Sequence, residues 1–155
     1  MKVKEIMTTP VVTVTPGTPV PVIAGLLRDN RISGVPVTDA DGAVIGLVSE
    51  YDLLARSGET AGEVMTGSVI TVTEDTDVED VRHLLVERRI RRVPVTSGQR
   101  LAGIVSRGDV VALLTTEWAC QVCGEAARGQ HLPSRCPRCH AGSDRFVMQD
   151  PSPGD

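Results

Sequence analysis

The sequence predicts an α/β protein: two tandem β-α-β-β-α units, followed by a small C-terminal ribbon of different make-up. Three observations carry that expectation. The first is an internal repeat. Sliding the chain by 58 residues matches 17 of 37 positions between residues 3–39 and 61–97, pairing EIMTTPVVTVTPGTPV with EVMTGSVITVTEDTDV and NRISGVPVT with RRIRRVPVT. The second is a switch of hydrophobic period inside each copy, from alternation to a helical stripe and back. The third is that all four cysteines follow residue 119.

Within the first copy, Val11–Thr15 alternates and is rich in β-branched residues, which predicts a half-buried strand. Val20, Ile23, Ala24 and Leu27 then form the i, i+3, i+4, i+7 stripe of an amphipathic helix over 19–29. Val35-Pro36-Val37 reads as a short strand whose proline suits an edge or an end. The DADG turn at 39–42 leads into the apolar run Ala43–Val48, a buried strand, and Ser49 starts a helix through Ala55. The second copy repeats the order. A unit of this length buries too little surface to be comfortable alone, so two packed sheet to sheet share a core. The resulting spans are 1–57 and 61–115 for the repeats, 116–148 for the ribbon, and 149–155 (QDPSPGD) for a disordered tail.

Composition narrows the function classes. The formal charge is −4, with 23% charged residues and only three aromatics, Tyr51, Trp118 and Phe146. RRIRR at 88–92 is basic, but the negative total and the lack of interleaved aromatics argue against a nucleic-acid binder. No stretch approaches the roughly eighteen apolar residues of a membrane span, and MKVKEIMTTP lacks the apolar core of a leader, so no membrane is expected and a cytoplasmic location is the default.

The heptads GLVSEYD (46–52) and GIVSRGD (103–109) share one frame. Ser-x-x-Asp is a helix capping box, which satisfies the orphan amides of a first turn. That role alone explains both residues. The helix start also supplies amides and a positive dipole end suited to an anion.

Taken together, the paired units, each with M-T near its start, a VPV strand and a closing G-[LI]-V-S-x-x-D, resemble a tandem cystathionine-β-synthase (CBS) domain pair, or Bateman module. The resemblance covers about 115 residues. It implies inter-repeat clefts that bind adenosine ligands (AMP, ADP, ATP, sometimes S-adenosylmethionine), a homodimer, and a regulatory rather than enzymatic role with a protein partner still unknown. It also implies that Ser49 and Asp52 serve one cleft and Ser106 and Asp109 the other, each carboxylate holding ribose hydroxyls. An Arg directly before the VPV strand reaches the phosphates in the family. Arg92 matches that position, with Arg91 before it, while the first copy has Ser33-Gly34. The expectation is that Ser106, Asp109 and Arg92 form the phosphate-binding set, that the first-repeat cleft is weaker or suited to an uncharged nucleoside, and that backbone at Val12–Thr13 and Ile70–Thr71 reads the base edge.

In the last segment, the hooks Cys120/Cys123 and Cys136/Cys139 stand twelve residues apart. In a reducing compartment that clustering favours a metal over disulfides, and four thiolates suit a tetrahedral ion. A segment this short has no room for a core, so a bound metal would fold it. Trp118, Gly124, Pro133, Pro137 and Phe146 make the pattern similar to the rubredoxin-like domain that ends rubrerythrins, and to zinc ribbons generally. His140 stands where a second glycine is expected, and with four thiolates present it reads, like His131 and His83, as solvent-facing. Zn2+ is favoured, with Fe the alternative. The leading function is a non-catalytic sensor of adenine nucleotides. The alternatives are a rubredoxin-like electron carrier or redox sensor modulated by the CBS pair, and a ribbon-mediated nucleic-acid or protein adaptor. No nucleophile–base pair and no open metal position argues for an enzyme.

Overall fold

The computed structural model describes residues 1–129 and 131–149. Residues 150–155, most of the expected tail, lie outside the described residues, and Gln149 ends the last strand. The first repeat contains a 3-10 turn (Val3–Glu5), helix α1 (Val20–Asn30), strands β1 (Gly34–Thr38) and β2 (Val44–Ser49), and helix α2 (Glu50–Ala55). The second contains α3 (Ala61–Val64), β3 (Val72–Thr73), α4 (Val78–Glu87), β4 (Arg92–Ser97), β5 (Arg100–Ser106) and α5 (Arg107–Ala112). The ribbon adds β6 (Glu117–Cys120), β7 (Ala126–Arg128) and β8 (Phe146–Gln149), in the order β7-β6-β8.

The mixed α/β architecture is as expected, and three details differ. The Val11–Thr15 strand shrinks to a single parallel bridge between Val14 and Val37, and its second copy to Val72–Thr73 beside β4. The proline of each VPV strand accounts for this. Val14 donates to the Pro36 carbonyl (3.1 Å) and accepts from Thr38 N–H (2.9 Å). One step earlier, the ladder needs an N–H from Pro36, which has none. Pro94 imposes the same limit on Ile70. In α1 the buried stripe is Ile23 and Leu27 with Leu26 half-buried, while Ala24 is exposed. Third, each repeat opens with a short helical turn, Val3–Glu5 and α3, that hydrophobic period did not signal.

Those opening turns are exchanged. Val3 is fully buried among Val72, Val81, Leu85, Val93, Val95 and Val105 of the second repeat, whereas Ala61 and Val64 sit among Ile23, Leu27, Val35, Val37 and Val48 of the first. Backbone bonds fix both crossings: Thr8 pairs with Ile104 on β5, and Thr66 pairs with Leu47 on β2. The repeated M-T and the repeated glycine meet here. A Cβ at Gly46 would come 3.0 Å from Met65 Cγ, and one at Gly103 would come 2.8 Å from Met7 Cγ. Each glycine makes room for the thioether arriving from the other repeat.

The single shared core expected from the sequence is instead two buried clusters, one per repeat, each completed by the other repeat's opening turn. Both are built mainly from Val, Leu and Ile, whose burial contributes about 1.5–3 kcal/mol per side chain before entropy is counted. The ribbon has its own cluster of Trp118, Cys120, Cys136 and Phe146. Met1 and Met148 contact both this cluster and the core of the second repeat, and the His131 ring lies 3.8 Å from Glu79 of α4. Among the described residues, no helix is long and apolar enough to cross a membrane.

Candidate functional site: an inter-repeat cleft and a four-cysteine centre

A cavity of about 590 Å³ opens between the repeats. The first repeat contributes Ser33, Leu47 and the start of α2 (Ser49, Glu50, Tyr51, Asp52, Leu54). The second contributes Thr66, the approach to β3 (Ser68, Val69, Ile70) and the residues leading into β4 (Ile90, Arg91, Arg92). One part of the wall is apolar, with Leu47, Leu54, Val69, Ile70 and Ile90, and another is polar and cationic. The volume is in the range of small-molecule sites.

This grouping corrects one expectation. Arg92, with Arg91 and Ile70, lines the cavity that holds Ser49 and Asp52, not a set with Ser106 and Asp109. The reason is the exchange: residues entering β4 face across the boundary between repeats toward α2 of the other copy. Thr71, Val12 and Thr13 do not line this cavity. Sequence reading missed Thr66, Ser33 and Glu50. Thr66 carried a usable signal, because it is the threonine of the repeated M-T.

Both capping boxes form. Asp52 Oδ2 accepts from Ser49 N–H (2.9 Å) and Ser49 Oγ (2.9 Å), and Asp109 Oδ2 accepts from Ser106 N–H (2.8 Å) and Ser106 Oγ (3.1 Å). Their surroundings then diverge. Asp52 is 4% exposed, and its Oδ1 takes the Thr66 hydroxyl at 3.2 Å and lies 3.4 Å from Arg56 Nε. Asp109 is half-buried, and among the described residues it has no partner beyond its cap. Leu113 replaces Arg56 at the corresponding position. The helices α2 and α5 have six residues each, so the guanidinium groups, rather than a long helix dipole, supply the positive charge at the cleft.

Arg92 reaches across the boundary and donates a hydrogen bond to the Ser33 hydroxyl. Its guanidinium covers Gly34, where a Cβ would sit 2.8 Å from Arg92 Cζ. Burial and the neighbouring Arg91 charge hold its pKa below the ordinary arginine value, against the opposing pull of Glu50 and Asp52. Among the described residues, no carboxylate is within ion-pairing distance of it. Arginine keeps its proton even so, and the cleft therefore contains a half-buried cation with no ion-pair partner among the described residues.

The thiol sulfurs of Cys120, Cys123, Cys136 and Cys139 all lie within 4.8 Å of one another. Cys120 and Cys139 are 3.6 Å apart, as are Cys123 and Cys136. Metal–sulfur bonds of about 2.3 Å in a tetrahedron require sulfurs about 3.8 Å apart, a spacing that lies within the range these sulfurs span. Two matching knuckles hold the hooks. Gly124 donates to the Cys120 carbonyl (2.8 Å) and His140 to the Cys136 carbonyl (3.0 Å), at φ +78° and +62°. The histidine thus adopts the left-handed conformation of its glycine counterpart, which histidine does more readily than most residues. The Cys139 amide, pointing at the Cys136 sulfur, leads in drawing that thiol down to about 6. The Ala141 amide favours the Cys139 thiolate, yet burial and the surrounding sulfurs push that thiol up to about 12. Four thiols this close are in conflict over charge, because ionising one opposes ionising the next. A divalent cation relieves that conflict.

Comparisons with known proteins agree with both halves of the molecule. The CBS domain model matches residues 3–59 and 61–116, and the rubrerythrin, rubredoxin-like domain model matches 118–147. Over 133 residues the chain is 35% identical to the CBS domain-containing protein CBSX1, chloroplastic, of Arabidopsis thaliana, covering 63% of this chain and 56% of that protein. It therefore spans little more than half the length of that relative. Among solved structures, CBSX2 in complex with AMP is 35% identical with a TM-score of 0.68, over 71% of this chain and 93% of that one. The CBS domain pair of protein MJ0100, in complex with 5'-methylthioadenosine and S-adenosyl-L-methionine, is 31% identical with a TM-score of 0.69, over 73% and 94%. With two CBS domains exchanging their opening turns and a four-cysteine metal-binding ribbon behind them, the chain belongs to the CBS-domain family and ends in a rubredoxin-like domain.

Proposed function

We propose that the protein is a non-catalytic sensor that binds an adenine nucleotide in the cleft between α2 and the entry to β4, and passes its occupancy to a protein partner. The observation that carries this reading is Arg92, a half-buried guanidinium facing a cavity with no carboxylate paired to it. A phosphate would supply the missing anion, and a guanidinium fork matches phosphate geometry. Arg91 stands beside it for a further phosphate oxygen. The apolar wall of Leu47, Leu54, Val69, Ile70 and Ile90 suits the base. Because Pro94 offers no N–H, the sheet leaves the Ile70 carbonyl available to a base edge. AMP in CBSX2, and two adenosyl compounds in MJ0100, are ligands of the corresponding class.

Within this reading Asp52 takes ribose hydroxyls by exchanging the Thr66 hydroxyl for them. Asp109, with Ser106, lies at the start of α5 with one oxygen open and serves a second, weaker site. The exposed apolar faces of α1 with α2 (Val22, Leu54) and of α4 with α5 (Val86, Val111) support a homodimer. The ribbon holds Zn2+, with Fe as the alternative. Zinc protein is colourless and ferric tetrathiolate is red, so the absorption spectrum of the isolated protein separates them.

Isothermal titration of the metal-loaded protein with AMP and with adenosine tests the reading. Arg92→Ala should weaken AMP at least about tenfold, the scale of a lost charge-assisted hydrogen bond, and leave adenosine within about twofold. Equal losses for both ligands, or no binding of AMP by the unaltered protein, would overturn it.

A further inference from the structure

The two helix starts differ most in charge at one position. Directly after the capping serine the first repeat has Glu50, while the second has Arg107. Both residues occupy the first position of their helices, and both backbone N–H groups make the same bond across their own repeat. Glu50 donates to the Ser33 carbonyl (3.0 Å), and Arg107 donates to the Arg91 carbonyl (2.9 Å). Glu50 is exposed and lines the cavity. Ser33 joins it to the cationic end, since the Ser33 carbonyl holds Glu50 while the Ser33 hydroxyl holds Arg92. A carboxylate therefore lines the same cleft as Arg91 and Arg92, near enough to Arg92 to act on its charge.

We infer that Glu50 is a specificity-determining residue, restricting this cleft to adenosine ligands of low negative charge, a monophosphate or less, and disfavouring di- and triphosphates. The inference rests on the nucleotide reading above. The charges in the cleft support it. Asp52 lies beside Arg56, 3.4 Å away, and that pair is internally balanced. Arg91 and Arg92 against Glu50 leave one net positive charge. A nucleoside monophosphate carries close to two negative charges at neutral pH and a triphosphate close to four. Each added phosphate brings more charge toward Glu50 without a further cation among the residues of the cavity wall. Glu50 makes no ion pair among the described residues, so its charge remains available to repel an incoming phosphate.

The test is isothermal titration of the metal-loaded full chain with AMP and with ATP at low ionic strength, for the unaltered protein, Glu50→Gln and Glu50→Arg. The arginine is tolerated at the equivalent position of the same fold, and the glutamine variant keeps nearly the original shape. The unaltered protein should bind AMP more tightly than ATP. Glu50→Arg should improve ATP roughly threefold to tenfold more than AMP, with Glu50→Gln between, and the difference should shrink in high salt. An AMP-to-ATP ratio that stays within twofold across all three proteins, or unaltered protein that prefers ATP, would overturn the role of Glu50 while leaving the nucleotide site in place. Binding of neither nucleotide would remove both.

Discussion

Ser49–Asp52 and Ser106–Asp109 are one four-residue cap built twice, with nearly the same bond lengths, and yet they are different places. Asp52 is buried against the Thr66 hydroxyl and Arg56, in a cavity also lined by two arginines from the other repeat. Asp109 keeps an oxygen free of partners among the described residues. A cap is a local object, fixed by residues three apart. A site is assembled from segments far apart in sequence, here brought together by exchange between repeats. Duplication preserved the first and let the second diverge. The ribbon adds to the asymmetry, since Met1 and Met148 tie it to the core of the second repeat.

The largest expected effect concerns that tie. Stripping the metal with a chelator removes the term that holds the ribbon, about 10–16 kcal/mol of apparent binding energy in isolated zinc-finger peptides. Amide exchange in β6, β7 and β8 should rise toward unprotected values. Protection should then fall around Val3 and α4, which share Met1 with the ribbon, and stay unchanged in α1 and β1. Equal loosening of both repeats would break the asymmetry, and a ribbon still protected without metal would show that its small apolar cluster suffices.

Next in size are the two carboxylates. Asp52→Ala leaves the Thr66 hydroxyl and Arg56 without their partner and opens a cap, for an expected cost of about 2–4 kcal/mol. Asp109→Ala loses a half-exposed cap alone, about 1 kcal/mol. Urea unfolding of both variants measures the difference. Equal costs would mean that the added partners of Asp52 contribute nothing net.

These contrasts also show what could be read from the sequence. The 58-residue repeat, the VPV strands, the capping boxes and the cysteine hooks are local or periodic patterns, and each predicts an element or donor set that the fold contains. The meeting of Arg92 and Asp52 in one cavity is neither local nor periodic. It depends on which repeat's opening turn packs into which core, and both assignments place valine and methionine equally well in the sequence. The shortened first strand was within reach, because Pro36 and Pro94 announce the missing donors. The opening turns were not, since three or four residues are too few to show a period.

The smallest expected effect lies at the exchange itself, where equivalent bridges differ in chemistry. Lys2 pairs with Asp77 in one crossing, at 2.9 Å between Nζ and Oδ1, while Pro19 pairs with Thr60 in the other. Hydrogen bonding and charge from Lys2 hold the Asp77 carboxyl below its usual 3.8, and Asp77 likewise raises Lys2 above 10.5. Asp77 therefore contributes while it is ionised, and its contribution is lost as pH falls from about 3.8 through the depressed folded value. Lys2 contributes below 10.5 and its share is lost only in strong base. Between those limits the crossing should be insensitive to pH. Both side chains are exposed and screened, so the effect is small. Amide exchange can resolve it, because the backbone bonds come in equivalent pairs: Val3 to Thr76 matches Ala61 to Thr18, and Val78 to Met1 matches Val20 to Glu59. Below pH 3.8 the Val3 and Val78 amides should lose protection relative to Ala61 and Val20, and Lys2→Met should remove that difference. If all four amides respond alike, the charge pair has no part in holding the first crossing, and the two exchanges are equivalent in strength despite their different residues.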